Sequence, residues 1–421
     1  MIEEITLSSG ITLRCFRDDR FKQGCLSLQF VRPMDAREAA MNAILPAVLL
    51  RGTQKSPDLR SITLRLDELY GASMGALVRR AGDYQTSGLF CGFIEDKYAL
   101  DGDQVFGPVV EFLKEVLFCP RLENGIFPEA VVESEKKNLI ATIESRMNDK
   151  RTYAYDQLIS HMCREDSFGV PRLGHKEDVA AVTAEGLYRH YETLLKTARV
   201  ELFYVGSEKA EAVAQKLNTL FGNRPRQMEA LPRQTAFCEE PGGEHEEQME
   251  VSQGKLAIGF TTPITLRSPQ FAAMQLCNGI FGGGMTGKLF TKIREEMSLC
   301  YDIGSSYYSS KGILIVSAGI DCGMRETVEK QVGEQLAAIC RGEISEKEME
   351  CARQMLLSAL QAVHDTPGNI EGYYAVQALT GLPLSREEYI EAVTSCTMQD
   401  VAEAAKTIRK HTVFFLKGVA Q

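Results

Sequence analysis

The sequence predicts an α+β protein built by tandem duplication of one α/β unit of roughly 200 residues. Three observations predict it. The order of strand-like and helix-like segments in the first half recurs in the second. A stretch rich in proline, glycine and acid separates the two series. The closing segments, Glu177–Thr183 leading to Gly206 and Glu387–Thr394 leading to Gly418, agree best, at an offset of about 211 residues, half the chain.

In order, residues 2–16 and 25–32 alternate in strand fashion. A helix is expected over 36–50, with Met41, Ile44, Leu45, Val48 and Leu49 on one face and Gly52 ending it. Pro46 sits inside that helix and should kink it or weaken one turn. Ser61 is placed to cap a short helix running to Tyr70 and stopped by Gly71. Residues 74–80 and 84–94 read as a hairpin around Gly82-Asp83, followed by helices over 104–117, 128–148, 151–163 and 184–196 and a strand over 200–205. Residues 223–250 carry three prolines, a glycine pair and an acidic run, which is linker composition. The expected domains are therefore 1–222 and 245–421, with a linker over 223–244. In the second half, a strand over 255–262, helices over 268–281 and 287–297, a hairpin at Lys311-Gly312, and helices over 324–340 and 346–364 repeat the first series.

At 421 residues the chain is too long for one ordinary core. With 44% hydrophobic and 25% charged residues it has normal globular composition. A net charge of −10 without a basic block argues against a nucleic-acid or anionic-membrane partner. The opening MIEEITLSSG reads as neither an export signal nor a membrane helix. The twelve cysteines are scattered without a CxxC pair, and Cys15, Cys91, Cys119, Cys277 and Cys340 sit in apolar surroundings, so free thiols and a cytoplasmic location are expected.

The stretch 268–303 is the most informative. Ser268 and Pro269 suit a helix start, Gly282, Gly283 and Gly284 break the pattern, and the next helix places Leu289, Ile293 and Met297 on one face. Arg294 lies beside that face and Tyr301 follows at the start of an apolar strand, both aimed at one neighbourhood. Gly282-x-x-x-x-Gly287-Lys288 nearly spells a phosphate loop, but Leu289 stands where a Ser or Thr must hold magnesium, and the preceding segment reads as a helix.

The duplicated unit resembles the pitrilysin/insulinase family of zinc peptidases, which includes the processing peptidase of mitochondria; the fold so implied is LuxS/processing-peptidase-like, two similar domains enclosing a peptide chamber. The likeness is carried by Arg51-Gly52-Thr53 and Leu66–Ala72 in the first half, and more specifically by Leu289-Phe290-x-x-Ile293-Arg294-Glu295 with Leu299-Cys300-Tyr301 in the second. The family takes two zinc ligands and a general base from an HxxEH helix. Ala43, Pro46 and Ala47 hold those positions here. The third ligand would be a Glu seven residues after another Glu; counting from Glu135 gives Thr142. The six histidines offer no replacement pair within a helical turn, and His245 among Glu244, Glu246 and Glu247 sits in the linker stretch. No Gly-x-Ser-x-Gly elbow is present.

In the family, the residues equivalent to Arg294 and Tyr301 hydrogen-bond the substrate carbonyl and the developing oxyanion. The resemblance thus implies an inactive homologue that binds no metal itself. It would act as the non-catalytic subunit beside an HxxEH-bearing homologue that holds zinc, or by self-association, with a peptide as substrate. The alternative is a peptide-binding or structural scaffold of the same fold.

Overall fold

The computed structural model describes residues 2–222, 224–237 and 240–418. These form two compact units. The first comprises residues 1–144, 170–233 and 363–379, the second 145–169, 234–362 and 380–421.

The first unit contains β1 (Ile2–Ser8), β2 (Ile11–Arg17), β3 (Gln23–Pro33), β4 (Ser73–Ala81), β5 (Tyr84–Ile94) and β6 (Arg199–Gly206), in the order β1-β2-β6-β3-β5-β4. The second contains β7 (Gly243–Met249), β8 (Gly254–Thr261), β9 (Asp302–Tyr308), β10 (Ile313–Ile320) and β11 (Arg409–Gly418), in the order β7-β11-β8-β10-β9. Without β1, the two orders are the same. Each also has one parallel pair in the same place, β2 with β6 and β7 with β11, all other pairs being antiparallel. The duplication is therefore written into topology and strand direction. The equivalent hairpin turns use Gly82 at φ +61° and Gly312 at φ +70°, backbone that side-chain-bearing residues rarely adopt.

In the first unit α1 (Ala36–Leu49), α2 (Leu59–Glu68), α3 (Phe106–Phe118) and α4 (Glu129–Asn148, whose last turn lies in the second unit) accompany the sheet. Ile44, Leu45, Val48 and Leu49 of α1 and Val109, Leu113 and Val116 of α3 are buried in one core with Leu26, Leu28 and Leu89 of the strands. The start of α2 differs from the expectation at Ser61. Asp58 is the cap, and Ser61 is its partner in a capping box two residues inside the helix.

Pro46 does not interrupt α1. Proline lacks the amide that would bond the Asn42 carbonyl one turn back, and the Ser87 hydroxyl of β5 donates to that carbonyl instead, at 2.5 Å. Ser87→Ala should therefore leave a buried acceptor unpaired and cost about 1–3 kcal/mol in chemical denaturation. An unchanged midpoint would show that the hydroxyl does not compensate for the proline.

The other face of each sheet is covered by a helix from the opposite half of the sequence. α5 (Lys150–Met162) follows α4 in the chain but belongs to the second unit, where Leu158, Ile159 and Met162 pack with Ala257, Ile315 and Phe414. Its counterpart Pro367–Thr380 follows Glu346–Ala362 and lies in the first unit up to Leu379, where Ile370 packs with Phe16, Cys25 and Val205. There the Glu371 side chain, fully buried, accepts from Ser27 Oγ at 2.6 Å, Gln29 Nε2 at 3.0 Å and both terminal nitrogens of Arg79 at 2.9 and 2.8 Å.

The stretch of linker composition ends in β7, a strand. Its half-buried side, His245, Glu247 and Met249, is mostly polar. His245 stacks on His161 at 3.8 Å and Tyr153 donates to Glu247 at 2.9 Å, so no apolar alternation is needed to seat it. Among the described residues no helix is long and apolar enough to cross a membrane.

Candidate functional site

α1 starts at Asp35, whose carboxylate accepts the Arg37 amide at 2.8 Å. It carries Ala43 and Pro46 buried and Ala47 half-buried. Two methyl groups and a pyrrolidine ring provide no lone pair for a metal and no base for a water. Thr142 lies exposed on α4, its hydroxyl donating to the Asn138 carbonyl at 2.9 Å. Glu135, two turns earlier, is paired with Arg51 Nε at 2.6 Å, so this carboxylate is neutralised by a guanidinium. The donor set does not fit a catalytic zinc. Among the described residues no group of three or more His, Cys, Asp or Glu could hold a metal ion.

The second unit is different. The helix before the glycine corner runs Phe271–Phe281 and is capped without a side chain, so Ser268 and Pro269 precede it; Ser268 instead accepts the Thr265 amide at 2.9 Å. The segment expected as an ordinary helix over 287–297 is a π-helix, Leu289–Glu296. Met297 N bonds Lys292 O at 3.0 Å, five residues back, and Leu299 N bonds Ile293 O at 3.0 Å around Ser298, at φ +53°. Such windings are rare and occur frequently at functional sites. The wider turn keeps Leu289 and Ile293 fully buried but carries Met297 off their face, to 43% exposure. The four-residue spacing correctly marks the first two as core and fails at the third.

This winding places Arg294 and Tyr301 together. Arg294 Nε donates to the Tyr301 carbonyl at 2.9 Å, and its guanidinium lies over the Phe290 ring at 4.7 Å and pairs with Glu295. Tyr301 N bonds Gly319 O at 2.8 Å, extending the β9–β10 ladder by one residue. That register sets Tyr301 across from Ile320 and brings the next residue, Asp321, within reach, where its Oδ1 accepts the Tyr301 hydroxyl at 2.9 Å. The Asp321 carboxylate holds the exposed phenol above its ordinary pKa, so Tyr301 is a neutral donor near pH 7. An arrangement with no internal ion pair is not what is found. Both groups already have partners inside the chain, and the sequence offered no signal for Asp321. Arg294 and Tyr301 also line one cavity of about 750 Å³ in this unit, together with Arg146, Arg151, Tyr155 and the glycine corner.

The fold is a duplicated α+β unit in which Ala43, Pro46, Ala47 and Thr142 offer no metal ligand, while Arg294 and Tyr301 stand together at one cavity of the second unit. Residues 181–356 match the family described as Peptidase M16 inactive domain. The chain is 29% identical over 409 residues to the probable inactive metalloprotease YmfF of Bacillus subtilis (strain 168), covering 97% of this chain and 96% of that one. Among solved structures, a conserved protein from Enterococcus faecalis V583 superposes with a TM-score of 0.92 at 28% identity, over 100% of this chain and 99% of the other. A Peptidase M16 inactive domain from Pseudomonas fluorescens superposes with a TM-score of 0.80 over 100% and 98%; at 19% identity that likeness concerns the fold. By these matches the chain is similar to the M16 peptidases, the pitrilysin/insulinase family, and among them to homologues of the inactive type.

Proposed function

We propose that this chain is the non-catalytic subunit of a heterodimeric zinc peptidase, binding peptide and lending Arg294 and Tyr301 to a zinc-bearing sister chain. The observation that carries this is the pair itself. Two donors sit on a π-helix and just before the next strand, at one cavity, in a chain whose α1 has only Ala43, Pro46 and Ala47 at the zinc-motif positions. Arg294 supplies a planar fork of donors that stays charged, suited to a substrate carbonyl. Tyr301 supplies one hydroxyl that can follow charge as it develops on the oxyanion, exchanging Asp321 for substrate. The chemistry of a metal-activated water belongs to the sister. A cytoplasmic setting accords with the buried Cys91 and Cys277, whose thiols burial pushes up to about 12.

The purified chain is expected to bind no stoichiometric zinc and to cut no peptide alone. Elemental analysis returning about one zinc per chain would overturn this. Co-expression with an HxxEH-bearing homologue should give a complex that cuts peptides. A scaffold role is favoured by one observation, the engagement of both Arg294 and Tyr301 within the chain. It would leave turnover indifferent to their replacement.

A further inference from the structure

The cavity that holds Arg294 and Tyr301 has a charge of its own. Its walls carry three arginines, Arg146, Arg151 and Arg294, and a single carboxylate, Asp302. The chain as a whole has a net charge of −10. Each arginine has one carboxylate partner, Asp156, Asp302 or Glu295, so what the lining offers a ligand is guanidinium donors left over from those pairs, and such donors attract carboxylates.

None of the three guanidiniums is fully used. Arg146 reaches both oxygens of Asp156 only at 3.3 Å, and Arg151 meets Asp302 through one nitrogen at 2.9 Å. Arg294 spends Nε on the Tyr301 carbonyl and one terminal nitrogen on Glu295. Arg146 and Arg151 are about half exposed, so donors remain toward the cavity. Part of the wall is backbone-rich, formed by Gly282–Gly284 and residues 302–306 of β9, the edge strand of its sheet. A Cβ at Gly304 would come within 3.3 Å of the Gly282 carbonyl, so corner and strand are packed backbone to backbone. Tyr155, Phe290 and Tyr308 supply flat apolar surface.

We infer that this cavity selects peptides by charge: its occupant is an extended peptide presenting a carboxylate to Arg146 and Arg151, beside the donors Arg294 and Tyr301. The carboxylate is an acidic side chain or the peptide's own carboxy terminus, both of which an arginine fork grips in the same way. The inference rests on the peptide-binding part of the proposed function, but it concerns this chain alone and is tested without a sister.

The test is fluorescence anisotropy of the full chain with labelled peptides of equal length, one carrying internal glutamates, one with glutamine in their place and one with lysine. Each is made with a free and an amidated carboxy terminus. The glutamate peptide should bind about tenfold more tightly than its glutamine form, the lysine peptide least, and the difference should shrink in high salt. If the terminus is the carboxylate recognised, amidation gives the tenfold loss and the internal substitution does not. The Arg146→Gln/Arg151→Gln double variant should erase the preference. Asp302→Asn should strengthen acidic-peptide binding, an effect of opposite sign that damage to the fold would not produce. Binding blind to charge, absent altogether, or unchanged in the double variant overturns the inference. Reconstituted turnover together with charge-blind binding would sink this inference alone. Acid-selective binding without any productive sister would sink the subunit role alone.

Discussion

Replacing Arg294 by alanine, or Tyr301 by phenylalanine, is expected to lower peptide turnover by a reconstituted pair by about 10²–10³-fold, the usual consequence of losing one oxyanion donor. Both substitutions should leave the fold intact. Arg294 is 39% and Tyr301 53% exposed, and the buried anchors of the segment are Leu289 and Ile293. Tyr301→Phe removes one hydroxyl, whose present partner Asp321 can turn to water. The loss should fall on turnover more than on binding, because a donor used in the transition state contributes little to holding substrate. Arg294→Lys should recover part of the activity, since the charge remains but the fork does not. Unchanged turnover in both variants would leave the scaffold role.

The second large effect concerns stability. Arg79→Ala should destabilise the protein by about 3–5 kcal/mol, because it strands the fully buried Glu371 carboxylate without its countercharge. Ser27 and Gln29 would still donate to it, but neutral donors do not replace a bidentate guanidinium. Replacing Arg79 and Glu371 together by apolar residues of similar volume should cost much less than the single change. Thermal melting of the two variants measures this. Equal losses would mean that packing of the Pro367–Thr380 helix matters and the charge does not.

Much of the fold was legible because it follows local rules. Turn glycines at 82 and 312, apolar periodicity in α1 and α3, and the recurrence of one strand–helix order all act within short windows. The failures are places where distant contacts decide. Leu289, Ile293 and Met297 are spaced for an α-helix, yet the backbone winds wider there. Nothing in Gly243–Met249 resembles a strand until β11 supplies a parallel partner and His161 and Tyr153 supply polar company for its inner side. The apolar face of α5 announces burial but not which sheet it covers. At the candidate site, the absence of ligands at Ala43, Pro46, Ala47 and Thr142 and the presence of Arg294 and Tyr301 could be read directly from residue identity. The partners Glu295 and Asp321 could not: the first depends on a side-chain rotamer, the second on the register of β9 against β10.

In the proposed role this chain completes a peptidase that it cannot form alone. The most direct measurement is hydrolysis of a quenched fluorescent peptide by the chain, by an HxxEH-bearing M16 homologue from the same cell, and by the two purified together. The expected result is a complex that cuts the peptide while neither chain does so alone. Failure of the two chains to associate, or activity of the zinc-bearing chain that is the same with and without this one, would contradict it.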